Sequence, residues 1–145
     1  MSETPSTVRW RVHLVSAPER VWEFLATDAG RARFWAESAV ERDGIIDFRF
    51  ANGARFSAPI LRKDPLTRLS LEYFGKSRLE FKLLIAADGG VDLEVEESRI
   101  PESEWLANHA GWVSVLLTLK AAVDHGIDLR NHDPLRTWDE GFVDP

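Results

Sequence analysis

Hydrophobic and polar residues alternate along much of the chain before residue 100. In residues 7–15 every even-numbered position is apolar (Val8, Trp10, Val12 and Leu14), which predicts a strand with one buried face. After Ala36 the same period of two continues, interrupted by hairpin signals at Asn52-Gly53 and at residues 88–90 and by a turn at residues 63–65. We predict about five or six further strands in an antiparallel meander, with one wet face that carries charge and one covered face.

The segment after the first strand has helical character. In SAPERVWEFL, Ser16 and Glu19 have the spacing of a capping box at the start of a helix. A second short helix is expected to begin at Thr27 or Asp28 and to end near Trp35. The sequence therefore predicts two short helices between the first strand and the meander.

A long helix follows the predicted sheet. Pro101 ends the last strand, Ser103 is the predicted N-cap, and the helix is expected to run to about Asp124, with Gly126 as its stop. Gly111 is expected to lie where this helix approaches other backbone closely. Because the sheet has one dry face and this is the longest helix, we predict an α+β fold in which the sheet wraps around it.

Composition narrows the class of protein. Eighteen Lys and Arg against twenty-four Asp and Glu give a net charge of −6, which argues against nucleic acid and anionic membrane surfaces as partners. The absence of cysteine excludes disulfides and thiolate zinc sites. No secretory signal is evident, and Lys120 interrupts the longest apolar run, at residues 113–123. We expect a cytoplasmic protein without membrane insertion: one domain over residues 1–145, with a core at about 7–126 and a C-terminal tail at 127–145.

Two segments carry a resemblance to a known family. Residues 16–35, SAPERVWEFLATDAGRARFW, and residues 109–126, HAGWVSVLLTLKAAVDHG, are similar to the helix-grip proteins of the START and Bet v I-like (SRPBCC) superfamily. More narrowly, they resemble the bacterial homologues of the activator of heat-shock protein 90 ATPase. The resemblance implies a curved antiparallel sheet of about six or seven strands and a cavity between sheet and C-terminal helix that often holds an apolar ligand.

The candidate site follows from the parity of the strands and the stripe of the long helix. Apolar side chains that would face this cavity, together with three polar residues, form the predicted ligand-binding set: Phe34, Trp35, Phe50, Phe56, Tyr73, Glu97, Trp105, His109, Trp112 and Leu116. Each apolar member is also what an ordinary core would contain. Phe34 and Trp35, with the strand loops, are expected to gate ligand entry.

Three polar residues are the hypothesised polar points of the cavity. Tyr73 and Glu97 keep the inward parity of their strands, and His109 lies between Trp105 and Trp112 along the helix. His109 is either a histidine bonded to backbone or a residue that meets a ligand, and Glu97 either points inward or reaches water at the strand end.

Three functional hypotheses remain open at this stage. The preferred one is binding of a hydrophobic small molecule (a lipid, an aromatic or a polyketide-like compound) with no catalytic residues, metal or cofactor assigned. The alternatives are a polyketide cyclase or hydrolase-like enzyme that uses His109 and Glu97, and a chaperone-associated partner-binding module without ligand. His132 and Asp139, in the polar tail, are interpreted as loop residues rather than metal ligands. The oligomeric state, monomer or dimer, is left open.

Overall fold

The fold consists of a seven-stranded sheet and three helices, in a computed structural model that describes residues 6–145. The elements are β1 (Val8–Leu14), α1 (Pro18–Ala26), α2 (Asp28–Arg31), β2 (Ser38–Arg42), β3 (Ile45–Arg49), β4 (Arg55–Asp64), β5 (Arg68–Glu72), β6 (Arg78–Ile85), β7 (Val91–Ser98) and α3 (Glu102–His125). Short 3₁₀ turns lie at Phe74–Lys76 and Trp138–Glu140.

All neighbouring strands of the sheet are antiparallel. Their order is β1-β7-β6-β5-β4-β3-β2, so the meander runs from β2 to β7 and the first strand closes onto the last. Val8 pairs with Glu97 and Leu14 with Val91. The predicted α+β architecture, with its curved antiparallel sheet, long C-terminal helix and two short helices after β1, is confirmed.

Alternating side chains of the strands form the inner face of the sheet, as the parity predicts. In β7 the odd-numbered residues 91–97 are buried and the even-numbered ones are more exposed. α3 covers this face through Trp112, Leu116, Leu119 and Val123, which belong to the same buried cluster as the inner residues of the strands. The Trp112 ring lies 5.8 Å from that of Phe81 on β6.

The turns between strands explain the meander. The predicted hairpin at Asn52-Gly53 joins β3 to β4, with Gly53 at φ +86°. A further hairpin, which our sequence analysis did not identify, joins β2 to β3 at Asp43-Gly44, where both residues have positive φ, at 51° and 78°. This is the backbone that an Asp-Gly turn favours, because it matches the twist of the flanking strands.

Three helix ends differ from the sequence-based expectation. Ala17, not Ser16, is the N-cap of α1, and the Ser16 hydroxyl instead donates to Asp124 Oδ1 at 2.7 Å, so the predicted capping box is wrong. α3 begins at Glu102 with Pro101 as its N-cap, two residues before the predicted N-cap Ser103. α2 ends at Arg31, and a turn continues the chain to Trp35.

By length and composition alone, α3 is apolar enough to cross a bilayer. In this fold it is the core helix, held to β1 at its N-terminal half by side-chain hydrogen bonds. Trp10 Nε1 donates to the His109 carbonyl at 3.0 Å, and Trp105 Nε1 donates to the Thr7 carbonyl at 2.8 Å. Its C-terminal end lies against the β1–α1 connection through Asp124, which accepts from the backbone of Val15 and Ser16.

α1 and α2 meet around a buried arginine. The Arg31 side chain, 1% exposed, donates to the carbonyls of Leu25 at 3.2 Å and Ala39 at 3.1 Å and pairs with Asp28 at 2.6 Å. Gly30 lets the two helices approach, since a Cβ there would lie 2.3 Å from the Glu23 carbonyl oxygen. Arg31 thus joins both short helices to β2.

We expect Arg31→Met to lower the free energy of unfolding by about 2–4 kcal/mol, because it leaves two buried carbonyls without donors. Arg33→Met is the matched control: Arg33 is exposed and its guanidinium lies 4.6 Å from the Phe24 ring, so its loss should cost no more than about 1 kcal/mol. Urea denaturation of both variants measures the difference. Equal losses would show that the buried hydrogen bonds contribute little.

Candidate functional site

A cleft of about 670 Å³ opens between α3, the inner face of the β3–β5 end of the sheet and the C-terminal tail. Its wall is rich in aromatic side chains, with nine rings: Phe34, Trp35, Phe50, Phe56, Tyr73, Phe74, Trp112, Trp138 and Phe142. The volume is in the range of small-molecule sites, roughly 300–1,000 Å³. Rings of this number present a large apolar area to a ligand.

Trp35 is the centre of the ring cluster at the floor of the cleft. Its centroid lies 4.8 Å from that of Phe48, 5.9 Å from Tyr73 and 6.2 Å from Trp112. Trp35 and Phe34 are 3% and 1% exposed. The expectation that these two residues gate entry is therefore corrected: buried side chains packed on this many neighbours form a floor, not a moving lid.

Glu97 brings a carboxylate to the cleft wall. It is 1% exposed and continues the inward register of β7, so the alternative that it reaches water is wrong. Its oxygens accept from Ser77 Oγ at 2.6 Å, Trp112 Nε1 at 2.8 Å and Asn108 Nδ2 at 3.3 Å. Burying a carboxylate without hydrogen-bond partners would cost on the order of several kcal/mol. The three donors therefore offset the cost of burying Glu97.

Tyr73 is the second polar group at the floor. Its hydroxyl oxygen accepts from Trp35 Nε1 at 3.0 Å. Burial raises the pKa of this phenol, and the nearby Glu97 carboxylate raises it further, so the hydroxyl keeps its proton at neutral pH. Since the indole can only donate, the Tyr73 proton is left to point towards another acceptor.

The C-terminal tail forms the outer wall of the cleft. The Trp138 ring packs edge-on against Phe50 at 5.7 Å, and Asn52 Nδ2 donates to Asp139 at 3.1 Å, which joins the tail to the β3–β4 hairpin. On the opposite side, Ser114 Oγ of α3 donates to the Val143 carbonyl. Trp138 and Phe142 of the tail are partly exposed and line the cleft.

A charged cluster at the start of the tail fixes it to the turn after α2. The Arg130 guanidinium donates to the carbonyls of Ala36 at 2.8 Å and Ala32 at 2.7 Å and pairs with Asp128 at 3.0 Å. His132 bridges Asp128 at 2.7 Å and Glu37 at 2.8 Å. Although burial opposes it, contact with Arg130 and His132 holds the pKa of Asp128 below its usual range.

Seven of the ten predicted site residues lie on the cleft wall, and three do not. Those on the wall are Phe34, Trp35, Phe50, Phe56, Tyr73, Glu97 and Trp112. Trp105, His109 and Leu116 lie on the flank of α3 that faces away from the cleft, where Leu116 is buried in the core. α3 presents two different flanks, one to the cleft and one to the core. The predicted set placed the residues of both flanks on a single face of the helix.

His109 is the clearest correction. Its ring lies between Trp105, which stacks on it at 4.6 Å, and Trp10 of β1, which is tilted against it at 4.7 Å. Its Nδ1 is buried without a hydrogen-bond partner among residues 6–145. Glu97 bonds Ser77, Asn108 and Trp112 rather than His109. The two residues that the enzyme hypothesis pairs therefore make no contact by hydrogen bond in this structure.

Residues of the other helix flank were missed by the sequence analysis. Asn108, Gly111, Val115 and Thr118 line the cleft at helical spacing. Gly111 does not mark a close approach of backbone, as expected, because a Cβ there would meet nothing within 4 Å. It opens space on the cleft wall instead. Gly111 and Thr118 are small residues at this helical spacing, and they were the signal in the sequence that could have indicated which flank lines the cleft.

Comparison with solved structures identifies the architecture. The SSP2350 protein from Staphylococcus saprophyticus superposes with a TM-score of 0.75 at 21% identity, over 86% of this chain and 96% of that one. The chain has the helix-grip fold. The Aha1 dimer from Colwellia psychrerythraea gives a TM-score of 0.73 at 21% identity, over 83% of this chain and 97% of that one.

DynU16, a protein of the dynemicin biosynthetic locus, gives a TM-score of 0.72 at 21% identity, over 83% of this chain but 48% of its own length. No protein-family model matches the chain. No curated protein matches it either. Likeness at these identities shows the helix-grip fold and no activity.

Among residues 6–145, no three His, Asp or Glu side chains are arranged to hold a metal ion. The polar groups of the cleft wall include the Glu97 carboxylate and the Tyr73 hydroxyl, both of which can hydrogen-bond. Such a site can orient a ligand by one or two polar contacts while the rings cover its apolar part.

We expect the tail to loosen as pH rises. The hydrogen bond to Asp128 raises the pKa of His132, burial opposes this, and Glu37 raises the pKa further. The protonated His132 therefore stabilises the folded tail fully below the pKa of an unfolded histidine, about 6.5. This stabilisation is lost as pH rises through the raised pKa of His132 in the folded protein. With 40% of the side chain exposed, it should amount to less than about 1 kcal/mol.

Hydrogen exchange of residues 127–145 at about pH 6 and about pH 8, corrected for intrinsic rates, measures this effect. His132→Gln should remove the pH dependence of protection. His13→Gln is the control, because His13 is also bridged by two carboxylates, Asp88 and Asp92, but lies on β1. Equal protection of the wild-type tail at both pH values would contradict the prediction.

Proposed function

We propose that this protein binds a hydrophobic small molecule with a ring system in the cleft between α3, the sheet and the tail. The observation that carries the proposal is the aromatic wall, nine rings around about 670 Å³ of open space. A protein that used this fold only as a scaffold would gain stability by filling that space, since empty volume forfeits packing energy. Retained space lined by rings suits a flat or greasy ligand.

Binding without catalysis is favoured over the enzyme hypothesis. Hydrolysis or cyclisation by an acid–base pair needs a base within hydrogen-bond reach of the substrate and a group that orients it. His109 lies outside the cleft, and its ring lies between two indoles. Among residues 6–145 it has no carboxylate partner that would orient it as a base. Tyr73 and Glu97 remain in the cleft, and both suit ligand orientation.

A narrower relationship is also proposed. The likeness to the Colwellia Aha1 dimer supports placing this chain among the bacterial homologues of the heat-shock protein 90 activator. A cytoplasmic location, expected from the sequence, is part of the same proposal. The buried cluster that runs from Val8 to Val123 supports one domain with a core at about 7–126. The cleft favours ligand binding over the hypothesis of a chaperone-associated module without ligand.

Native mass spectrometry of freshly purified protein tests the proposal. We expect an adduct of a few hundred daltons, on the order of what a pocket of this size admits, that denaturing conditions release. Melting temperatures measured with a panel of lipids and aromatic polyketides should rise with at least one compound, since binding to the native state stabilises it. An unliganded protein whose melting temperature no compound changes would reject the proposal.

Gly111→Phe should block the cleft. A side chain built there enters open space, and a helix gains from losing glycine, so we expect an unchanged or higher melting temperature. Ligand binding should fall at least about tenfold, because the ring occupies the volume that a ligand needs. Ser103→Phe, on the exposed first turn of α3, is the control and should bind normally. Normal binding by Gly111→Phe would place the ligand elsewhere.

A further inference from the structure

The cleft combines aromatic faces with one buried carboxylate. Glu97 lies beside Trp112, whose indole donates to it, and the rings of Trp35 and Tyr73 lie 6.2 and 5.9 Å from that indole. Ring faces carry negative potential and attract cations, most strongly for tryptophan. Rings and carboxylate therefore favour the same sign of ligand charge.

Among residues 6–145, no positively charged group pairs with Glu97. Its three hydrogen-bond partners are a hydroxyl, an amide and an indole, all neutral donors. Buried carboxylates are ordinarily paired with a cation, so the site leaves this interaction open.

The other charged groups of the cleft do not supply that cation. Arg130, the basic residue of the wall, is engaged by Asp128 and by two backbone carbonyls at the outer end of the cleft. Glu37 and Asp139, also on the wall, add negative charge. An anionic ligand would meet these carboxylates without a free basic group among the described lining residues.

We propose that the cleft selects a positively charged ligand, an ammonium or amidinium group carried on an apolar ring system, with the charge beside Glu97 and the rings of Tyr73 and Trp112. This inference rests on the proposed function, because it assigns the ligand class of the same cleft. The apolar part would lie against Phe50, Phe56 and Trp138 towards the tail. The charge would replace part of its hydration with the carboxylate and the ring faces.

Three probes of one shape test the proposal: naphthylmethylamine, which is an ammonium ion at neutral pH, naphthylmethanol, which is neutral, and naphthoate, which is an anion. Calorimetry or displacement of a fluorescent dye gives the three affinities. We expect the ammonium probe to bind at least about tenfold more tightly than the alcohol, because one charge-assisted contact contributes about this much to affinity after the cost of desolvation. Naphthoate should bind most weakly.

Glu97→Gln should bring the ammonium probe down to the affinity of the alcohol, whose own affinity should change little. Glutamine retains an oxygen to accept from Trp112 and an amide to donate to the Ser77 hydroxyl. Glu96→Gln is the matched control. Glu96 is the neighbouring residue on the outer face of β7, where it pairs with Arg9, so this substitution removes the same charge outside the cleft. The control should retain the wild-type preference.

The outcomes separate the two proposals. Binding of the alcohol with no preference for the ammonium probe would overturn the charge assignment and leave the proposed function standing. Binding of none of the three would count against the proposed function itself. A preference that survives Glu97→Gln would assign it to other carboxylates and overturn the role of Glu97.

Should Glu97→Gln not fold, the wild-type protein still decides. A preference that comes from a buried carboxylate persists at high salt, because buried pairs are screened less than exposed ones. A preference lost at high salt would reject Glu97 as its source.

Discussion

The Glu97 carboxylate holds together the parts of the molecule that define the cleft. It belongs to β7, and its oxygens accept from Ser77 before β6 and from Asn108 and Trp112 on α3. A buried carboxylate needs its donors, so the rotation of α3 about its axis is set by the requirement that Asn108 and Trp112 both face β7. That rotation puts Trp105 and His109 against β1 and leaves the small residues of the other flank along open space.

The cleft depends on what does not fill it. α3 places Gly111 opposite a sheet whose end carries Phe50 and Phe56, and a Cβ at Gly111 would meet no atom within 4 Å. The tail supplies the outer wall, held by Arg130 at one end and by the Trp138 contact with Phe50 near the other. The Trp138 contact is partly exposed, so this end of the tail is held more weakly than the core.

Much of the fold followed from local pattern. Period two in the strands, the Asn-Gly turn and Gly126 after α3 are local signals, and each occurs where expected. β2 was not identified as a separate strand, although Asp43-Gly44 was a usable hairpin signal. Ser16 shows the limit of such signals: its hydroxyl is used by Asp124, a residue more than a hundred positions away, instead of capping the adjacent helix.

The sequence by itself determined the order of elements, the inner face of each strand and hence the inward position of Tyr73 and Glu97, because strand parity is a local property. Only the tertiary structure decided which flank of α3 faces the cleft. Neighbouring residues on a helix point in directions about 100° apart, and the positions of β1 and β7 decide which of these directions meets the cleft. It also decided that the tail returns to form a wall. Contacts between segments distant in the chain, such as Asn52 with Asp139, leave no periodicity to detect.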